Sequence, residues 1–484
     1  MRTSLVILFA VIVGTVVTLD PARWFGGVRG AAASGVIPIT MVVWGMPFED
    51  RLFEDLYARG YERLAPVAVD YQRHTDVQAK YNAWHANNTG AEVMRMGVDY
   101  YRQFVERGML EPLDDYIDGP AGLTEEQLAH FPERLLERLR VDGRLYALPA
   151  DNATYGLYYN REIFDAYNAA HPEDPVSYPS ADWTWNDVRE TARKLTGTRE
   201  SLFGETGRRA AERVQGIDMM VWAWPYFNFL IQAGGREFDD DGTTTLVDSS
   251  AGVEALEFMG ALVRDGSWRP TFGSDDGTGP MTTFPQGRVA MLYGGSWLVP
   301  HFENASPELD FAVVPAPRGR ERRILSGATI WGMSVNAREK QAGWRMIRWL
   351  SLEDQMAAYW NILRVAPPAN LAVVESERFR ATTGLPNPGG GYYVQPMPPE
   401  RFDDRAAWLL ETWRPDPATG EAPGHISEGK YLNTLQNEIQ AILPVYLAAP
   451  DRHDPAALLR RAATAVHRQI DGDRAAAGLP PIPR

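Results

Sequence analysis

Residues 142–164 read DGRLYALPADNATYGLYYNREIF, and their reading decides the fold. Asp142-Gly143 is a turn signal. Leu145, Ala147 and Pro149 form a short extended run behind it. Tyr155–Tyr159 predicts a second, aromatic-rich strand. Asn160-Arg161-Glu162 opens a helix.

Upstream, Ile37–Val43 alternates as a strand does and ends at Trp44-Gly45-Met46-Pro47. Phe48–Arg59 has helical spacing and Gly60 ends it. Val67–Tyr71 and Ala91–Met96 predict strands. Thr75–Ala86 and Asp99–Arg107 predict helices, the latter stopped by Gly108. Strand–helix units in close succession build a parallel sheet wound with helices. Ligands of such sheets sit beyond the carboxyl ends of the strands, which places Trp44 and the Met96–Asp99 turn at the mouth of a cleft.

Downstream, Thr184 and Asp187 have capping-box spacing. Residues 216–230 are dense in aromatics and run into Gly234-Gly235. Asp239–Gly242 is a hairpin turn before an expected strand Thr244–Val247. A calcium loop is the alternative there, but its ligand spacing and terminal Glu are missing. Ser249 or Ser250 caps a helix that Gly266 stops. Ala337–Ser351 is helical, residues 370–400 are Pro/Gly-rich, and the tail holds helices Lys430–Leu447 and Pro455–Ile470. There is no internal repeat.

The 142–164 stretch resembles the first interdomain crossover of the extracellular solute-binding proteins, family 1, the sugar-binding components of ABC importers. Other segments are similar to that family in order and spacing. GMLEPLDDYI (108–117) resembles a first-lobe segment, and FPQGRVAMLYGGSW (284–297) an aromatic sugar platform. FAVVPAP (311–317) with ILSGATIWGMSV (324–335) resembles the second crossover, and RVAPP (364–368) the third. The resemblance covers roughly residues 36–470 and implies an α/β, two-lobed periplasmic-binding-protein fold. Each lobe would be a wound, mostly parallel sheet, and three crossover hinges would join them. The expected lobes are 36–152 with 318–368, and 153–317 with 369–484. The implied role is capture of a sugar, an oligosaccharide or glycoside, between the lobes by a periplasmic monomer. Delivery would be to the permease subunits of an ABC importer, without catalysis, cofactor or metal.

Composition agrees. The chain has 484 residues and no cysteine, which removes disulfides, thiolate metal sites, cysteine nucleophiles and a lipidated N-terminal cysteine. Its formal net charge of −15 argues against nucleic acid as a partner. Ser4–Leu19 is an uncharged, mostly apolar run behind Arg2. It suits a signal h-region and is short for a bilayer span. Residues 1–35 are therefore a signal peptide, with Ala31–Ala33 as a cleavage site, or else a membrane anchor. Any membrane contact would run through this segment.

No P-loop, dinucleotide fingerprint, zinc motif or serine elbow is present. The enzymatic rival is a carbohydrate-active enzyme, needing two carboxylates from among Asp99, Asp151 and Asp182. A same-fold binder of a non-sugar solute is the third reading. For a sugar site, the 15 Trp and 20 Tyr supply flat rings for C–H faces. Gly294-Gly295 allows close backbone approach, and Ser296-Trp297 projects a hydroxyl and an indole beyond the strand. Trp331 after Gly327, Trp44 at a strand end, and Trp224 of the Trp222/Trp224 pair are the further platforms. Asp151, Asn152 and Tyr155 at the crossover, Asp99, and Arg364 at the third hinge complete the ligand-binding candidates; Arg95 would meet an acidic sugar or pair with a carboxylate. Trp183, Trp185, Trp344 and Trp349 are expected to be structural.

Overall fold

The computed structural model describes residues 35–45, 49–74, 76–272, 279–386, 389–412, 424–425, 427 and 429–482, with two short segments at 6–7 and 17–18. Most of residues 1–35, including the expected cleavage site at Ala31–Ala33, lies outside the described residues. Among the described residues no helix is long and apolar enough to cross a membrane.

In chain order the main strands are β1 (Ile37–Val43), β2 (Val67–Arg73), β3 (Val93–Gly97), β4 (Ala147–Asn160), β5 (Arg213–Met219), β6 (Val289–Gly295), β7 (Phe311–Pro315) and β8 (Ile324–Gly332). The helices that matter below are α1 (Val77–Ala86), α2 (Val98–Glu106), α3 (Arg161–Ala170), α4 (Trp185–Lys194), α5 (Ala223–Gln232) and α6 (Ser250–Arg264). After them come α7 (Leu298–Ala305), α8 (Lys340–Leu350), α9 (Glu353–Leu363), α10 (Leu432–Ala448) and α11 (Pro455–Ala476).

The local signals act as their chemistry requires. Asp142 (φ 50°) and Gly143 (φ 77°) both occupy the left-handed region and close a tight hairpin. Asn160 caps α3 by accepting the Ile163 N–H at 3.2 Å. Thr184 and Asp187 complete a reciprocal capping box at α4.

β4 is one strand of 14 residues where the sequence suggested two runs. The polar stretch Asp151–Thr154 has little strand propensity of its own. It is extended because both edges are hydrogen-bonded. On one edge Ala147–Thr154 pairs antiparallel with β8. On the other, Asn152 N donates to Pro367 O (2.8 Å) and Ala369 N to Ala150 O (3.2 Å). Further along, Tyr155–Tyr159 pairs with β6 and Gly156–Asn160 with β7. The order β2-β1-β3-β8-β4-β6-β5 therefore runs through both lobes. β1 is parallel to β2 and β3, and β5 is parallel to β6. β4 and β8 are the antiparallel connections between these parallel groups.

Two large cores flank this ribbon. Met41, Val43, Met96 and Trp344 belong to the first. Leu157, Phe229, Met259, Ile439 and Val466 belong to the second. A smaller third core holds Tyr158, Phe302, Trp360, Phe379 and Trp408. The segment after the third crossover is divided among them. Leu385 and Val394 join the first core, Phe402–Leu409 the third, and α10 and α11 the second. The expected assignment of 369–484 to one lobe misses this, because composition alone does not show where a Pro/Gly-rich segment docks. Two smaller expectations also fail. The first helix continues through Gly60 to Glu62, and Thr244–Val247 makes only a single bridge, Phe238 to Thr245.

Among the described residues, α10 and the turn before it reach the first lobe. Lys430 pairs with Glu106 at 3.0 Å, and Asn433 donates to Gln78 at 3.2 Å.

Trp344 is fully buried, and its indole N–H donates to Ala121 O at 2.9 Å. Trp344→Ala is expected to cost about 3–5 kcal/mol, read as a lower urea midpoint in equilibrium unfolding. A midpoint unchanged from wild type would contradict this packing.

Candidate functional site

The first-lobe side of the site is built at the carboxyl ends of β1 and β3. Trp44 follows β1, and Asp99 and Tyr100 open α2 directly after β3. Asp99 lies in the first turn of α2, where the helix dipole favours an anion. Burial nevertheless raises its carboxyl to about 6, against the lowering effect of the Asp99 and Tyr100 backbone N–H groups. Trp44 Nε1 approaches the Tyr100 hydroxyl, yet neither atom has a well-formed hydrogen bond.

The second-lobe side is built at the end of β6. Gly295 pairs with Tyr155, and Ser296 N donates to Thr154 O at 2.9 Å. Tyr158 donates to Gly295 O at 2.6 Å and pins the same turn. The Trp297 indole folds back over Gly295, where an added Cβ would lie 2.1 Å from the ring. Tyr155 meets Trp297 edge-on at 5.5 Å, and Trp222 meets it at 6.0 Å. Trp297 packs against buried residues of all three of these cores, and so touches both lobes. Trp222 Nε1 approaches the Tyr155 hydroxyl, and again neither has a well-formed bond; Ser296 Oγ also has no partner. Each half thus presents an indole–phenol pair with unused hydrogen-bonding atoms. Burial pushes both phenols well above their usual range, so both keep their O–H.

Between the halves lies the crossover ribbon. Along regularly paired β4, Asp151, Ala153 and Tyr155 share one face, while Asn152 and Thr154 share the other. Gly327 is opposite Ala153, and a Cβ there would meet nothing within 4 Å. That face is open. Its floor is Gly327 and Ala153.

Several sequence candidates are placed elsewhere. Asn152 points to the face away from Ala153. Asp151 faces the first lobe and is 2% exposed. Its Oδ1 accepts Thr329 N (3.1 Å); its Oδ2 accepts Thr329 Oγ1 (2.6 Å) and Arg95 Nη2 (3.3 Å). Both oxygens are committed within the protein. Trp331 is a core residue, packed edge-on against Phe53 at 6.2 Å. It lies four residues, roughly 13 Å, along β8 from Gly327. Trp224 packs on the second core, while Trp222 takes the place expected of it. The chain turns helical at Ala223, so the two indoles do not share a face as they would in a strand. Arg364 is buried, in left-handed conformation, with Nη2 donating to Glu303 (2.5 Å) and Gln395 O (2.6 Å). It anchors the third crossover to α7. Arg95 is paired with carboxylates, as one of its two readings had it. Sequence reasoning does not select Trp222 or Tyr100 as ligand-binding residues. Trp222 lies in the aromatic run 216–230, and Tyr100 follows the flagged Asp99.

The signature of the family described as bacterial extracellular solute-binding protein matches residues 62–387, more than half of the chain. The chain belongs to this family. Among relatives of this solute-binding protein, a maltotriose-binding protein of Pyrococcus abyssi is 23% identical over 330 residues, 65% of this chain and 63% of the relative. A putative binding protein of Brucella abortus is 24% identical over 56% of this chain and 61% of its own length. The chain thus matches less than two thirds of the length of these relatives. Among solved structures, a Listeria monocytogenes ABC substrate-binding protein in complex with cycloalternan superposes with a TM-score of 0.70. It is 20% identical, over 90% of this chain and 99% of that one. The Thermus thermophilus maltotriose binding protein bound with maltotriose gives 0.66 at 17% identity, over 90% of this chain and all of its own. The fold is the two-lobed one of these sugar-binding proteins.

Asp99 supplies a pH test. Its folded carboxyl keeps a proton to about pH 6, whereas the unfolded group loses it near 3.8. The folded state binds more protons in that window, so this group's contribution to stability falls as pH rises from about 4 to 6. Asp99→Asn is expected to flatten that fall, measured as urea midpoints at pH 4.5 and 7. An undiminished fall would place the carboxyl in water. In Gly295→Ala the new methyl must displace the Trp297 ring, so near-ultraviolet circular dichroism should change. An unchanged spectrum would contradict the packing of the Trp297 ring over Gly295.

Proposed function

We propose that this chain is an exported, monomeric solute-binding protein that closes two lobes on a sugar and presents it to the permease subunits of an ABC importer. The observation that carries the reading is the set of buried, unused hydrogen-bonding atoms beside aromatic rings, drawn from both lobes. Trp44 and Trp222 Nε1 can only donate, whereas Tyr100 and Tyr155 can donate and accept. A sugar offers what this lining lacks: hydroxyls of both roles around a ring with flat C–H faces. An apolar ligand would leave these groups desolvated and unpaired, at a cost of about 1–3 kcal/mol each.

A relative whose name specifies maltotriose, and structural neighbours holding maltotriose and cycloalternan, support an oligosaccharide as the ligand. Closure would bend the three adjacent crossovers and shift the protein toward a closed population. The carbohydrate-active-enzyme reading has less support. It needs a pair of free carboxylates, but Asp151 is bound by Arg95 and Thr329, and Asp182 is exposed ahead of α4.

A thermal-shift panel of mono- and oligosaccharides tests the reading, because a ligand at 100 times its Kd adds ~2.7 kcal/mol of stability. At least one sugar should raise Tm and return chemically unchanged. No shift across the panel would count against a sugar ligand. Trp297→Ala should weaken binding of that sugar at least tenfold, through lost stacking of ~0.5–1.5 kcal/mol plus lost burial. Trp222→Phe, which keeps a ring but loses the N–H, should cost about fivefold, near 1 kcal/mol for one hydrogen bond. Wild-type affinity in both variants would move the site elsewhere. Small-angle scattering should show a smaller radius of gyration with saturating sugar, and an unchanged radius would exclude closure.

A further inference from the structure

Behind the site, Arg95 on β3 is buried at 2% exposure among groups from four parts of the chain. Its Nη1 donates to Trp44 O at 2.7 Å and to Glu49 Oε1 at 3.1 Å. Its Nη2 donates to Asp151 Oδ2 at 3.3 Å and to the Tyr359 hydroxyl at 3.1 Å. The Tyr359 hydroxyl in turn donates to Glu49 Oε1 at 3.1 Å. The guanidinium also lies over the rings of Trp44, Phe53 and Tyr359, 5.0, 4.9 and 5.8 Å from their centroids. Asp151 passes the connection to β8 through Thr329. Its backbone pairs with Pro368 in the third crossover. Tyr359 belongs to α9, which leads into that crossover.

We propose that Arg95 is a positioning residue for solute binding: it fixes the Trp44 ring relative to the crossovers about which the lobes close. The argument is geometric. Trp44 stands at a strand end, where its backbone carbonyl has left the sheet ladder. The carbonyl's bond to Arg95 and the ring's contact with the guanidinium hold both ends of the residue. The same guanidinium is bonded to Asp151, two residues from the open floor at Ala153. One rigid planar group therefore sets the distance between a wall of the site and its floor. Arginine alone has the required shape. Its fork serves four acceptors in fixed directions, and its face stacks on aromatics. The role rests on the sugar-binding reading for its ligand, but the coupling of Arg95 to Trp44 does not.

Arg95→Lys and Arg95→Met separate positioning from charge balance. Lysine keeps a cation opposite Glu49 and Asp151 but loses the fork and the planar face. Its urea midpoint should lie nearer wild type than that of Arg95→Met, which leaves both carboxylates uncompensated. Affinity for maltotriose, or for whichever panel sugar raises Tm most, should nevertheless fall at least tenfold in Arg95→Lys. Acrylamide quenching of the Trp44 emission, taken as the difference between each protein and its Trp44→Phe counterpart, should increase. Trp344→Ala is the control, with stability lost and affinity of the folded fraction kept. Wild-type quenching and affinity in Arg95→Lys would overturn the proposal. So would an affinity loss that merely follows stability across the three variants. If wild type binds no panel sugar, the sugar reading fails, and the quenching comparison alone decides whether Arg95 positions Trp44.

Discussion

The fold depends on satisfying backbone hydrogen bonds between the lobes. A chain that passes between two cores carries N–H and C=O groups into a place that is neither core nor open solvent, and each unpaired buried group is costly. Here the crossing segments satisfy one another. β4 bonds to β8 on one edge and to residues 367–369 on the other. The polar Asp151–Thr154 stretch can then be extended at a position where local propensity would not hold it. The same pairing leaves one face of the ribbon with small residues, Ala153 and Gly327, between two aromatic walls.

Electrostatics follow from this arrangement. Placing Asp151 on the face toward the first lobe buries a carboxylate. It is tolerable because Arg95 and Thr329 complete its bonds. Arg95 in turn needs Glu49. The guanidinium nearest the floor is thus shared by two carboxylates inside the first lobe, and the groups that face the floor include indoles, phenols and the carboxylate of Asp99. An environment of that kind discriminates by shape and hydrogen-bond direction more than by charge.

Much of this was legible in the sequence. The order of strands and helices, the Asp142-Gly143 turn, the Asn160 and Thr184 caps and the crossover segments all follow from periodicity and turn chemistry, which are local. The Gly295–Trp297 turn also followed, since a glycine pair at a strand end before an indole has few other uses. What sequence did not show depends on distant partners. Asp151 is taken by Arg95, 56 residues away in the chain, a partner that local sequence does not show. Trp331 does not share the exposure of Gly327, because it lies farther along β8, inside a core. Trp224 lost its place to Trp222 because the backbone turned helical one residue after Trp222, a boundary that aromatic spacing does not fix. Arg364 proved to be an anchor because Glu303 and the loop carbonyl of Gln395 reach it.

The bonds from Lys430 to Glu106 and from Asn433 to Gln78 involve solvent-accessible groups. An exposed ion pair contributes about 0–1 kcal/mol and weakens as salt screens it. Because this one ties a segment anchored in the second core to a helix of the first, under the proposed closure its strength would enter the balance between joined and parted lobes as well as overall stability. A fraction of a kcal/mol is enough to change the population of a minor conformer severalfold, and apparent affinity scales with the competent fraction. Under the proposed role, ionic strength would therefore act as a weak effector, tuning how readily the protein holds a solute without touching the solute at all.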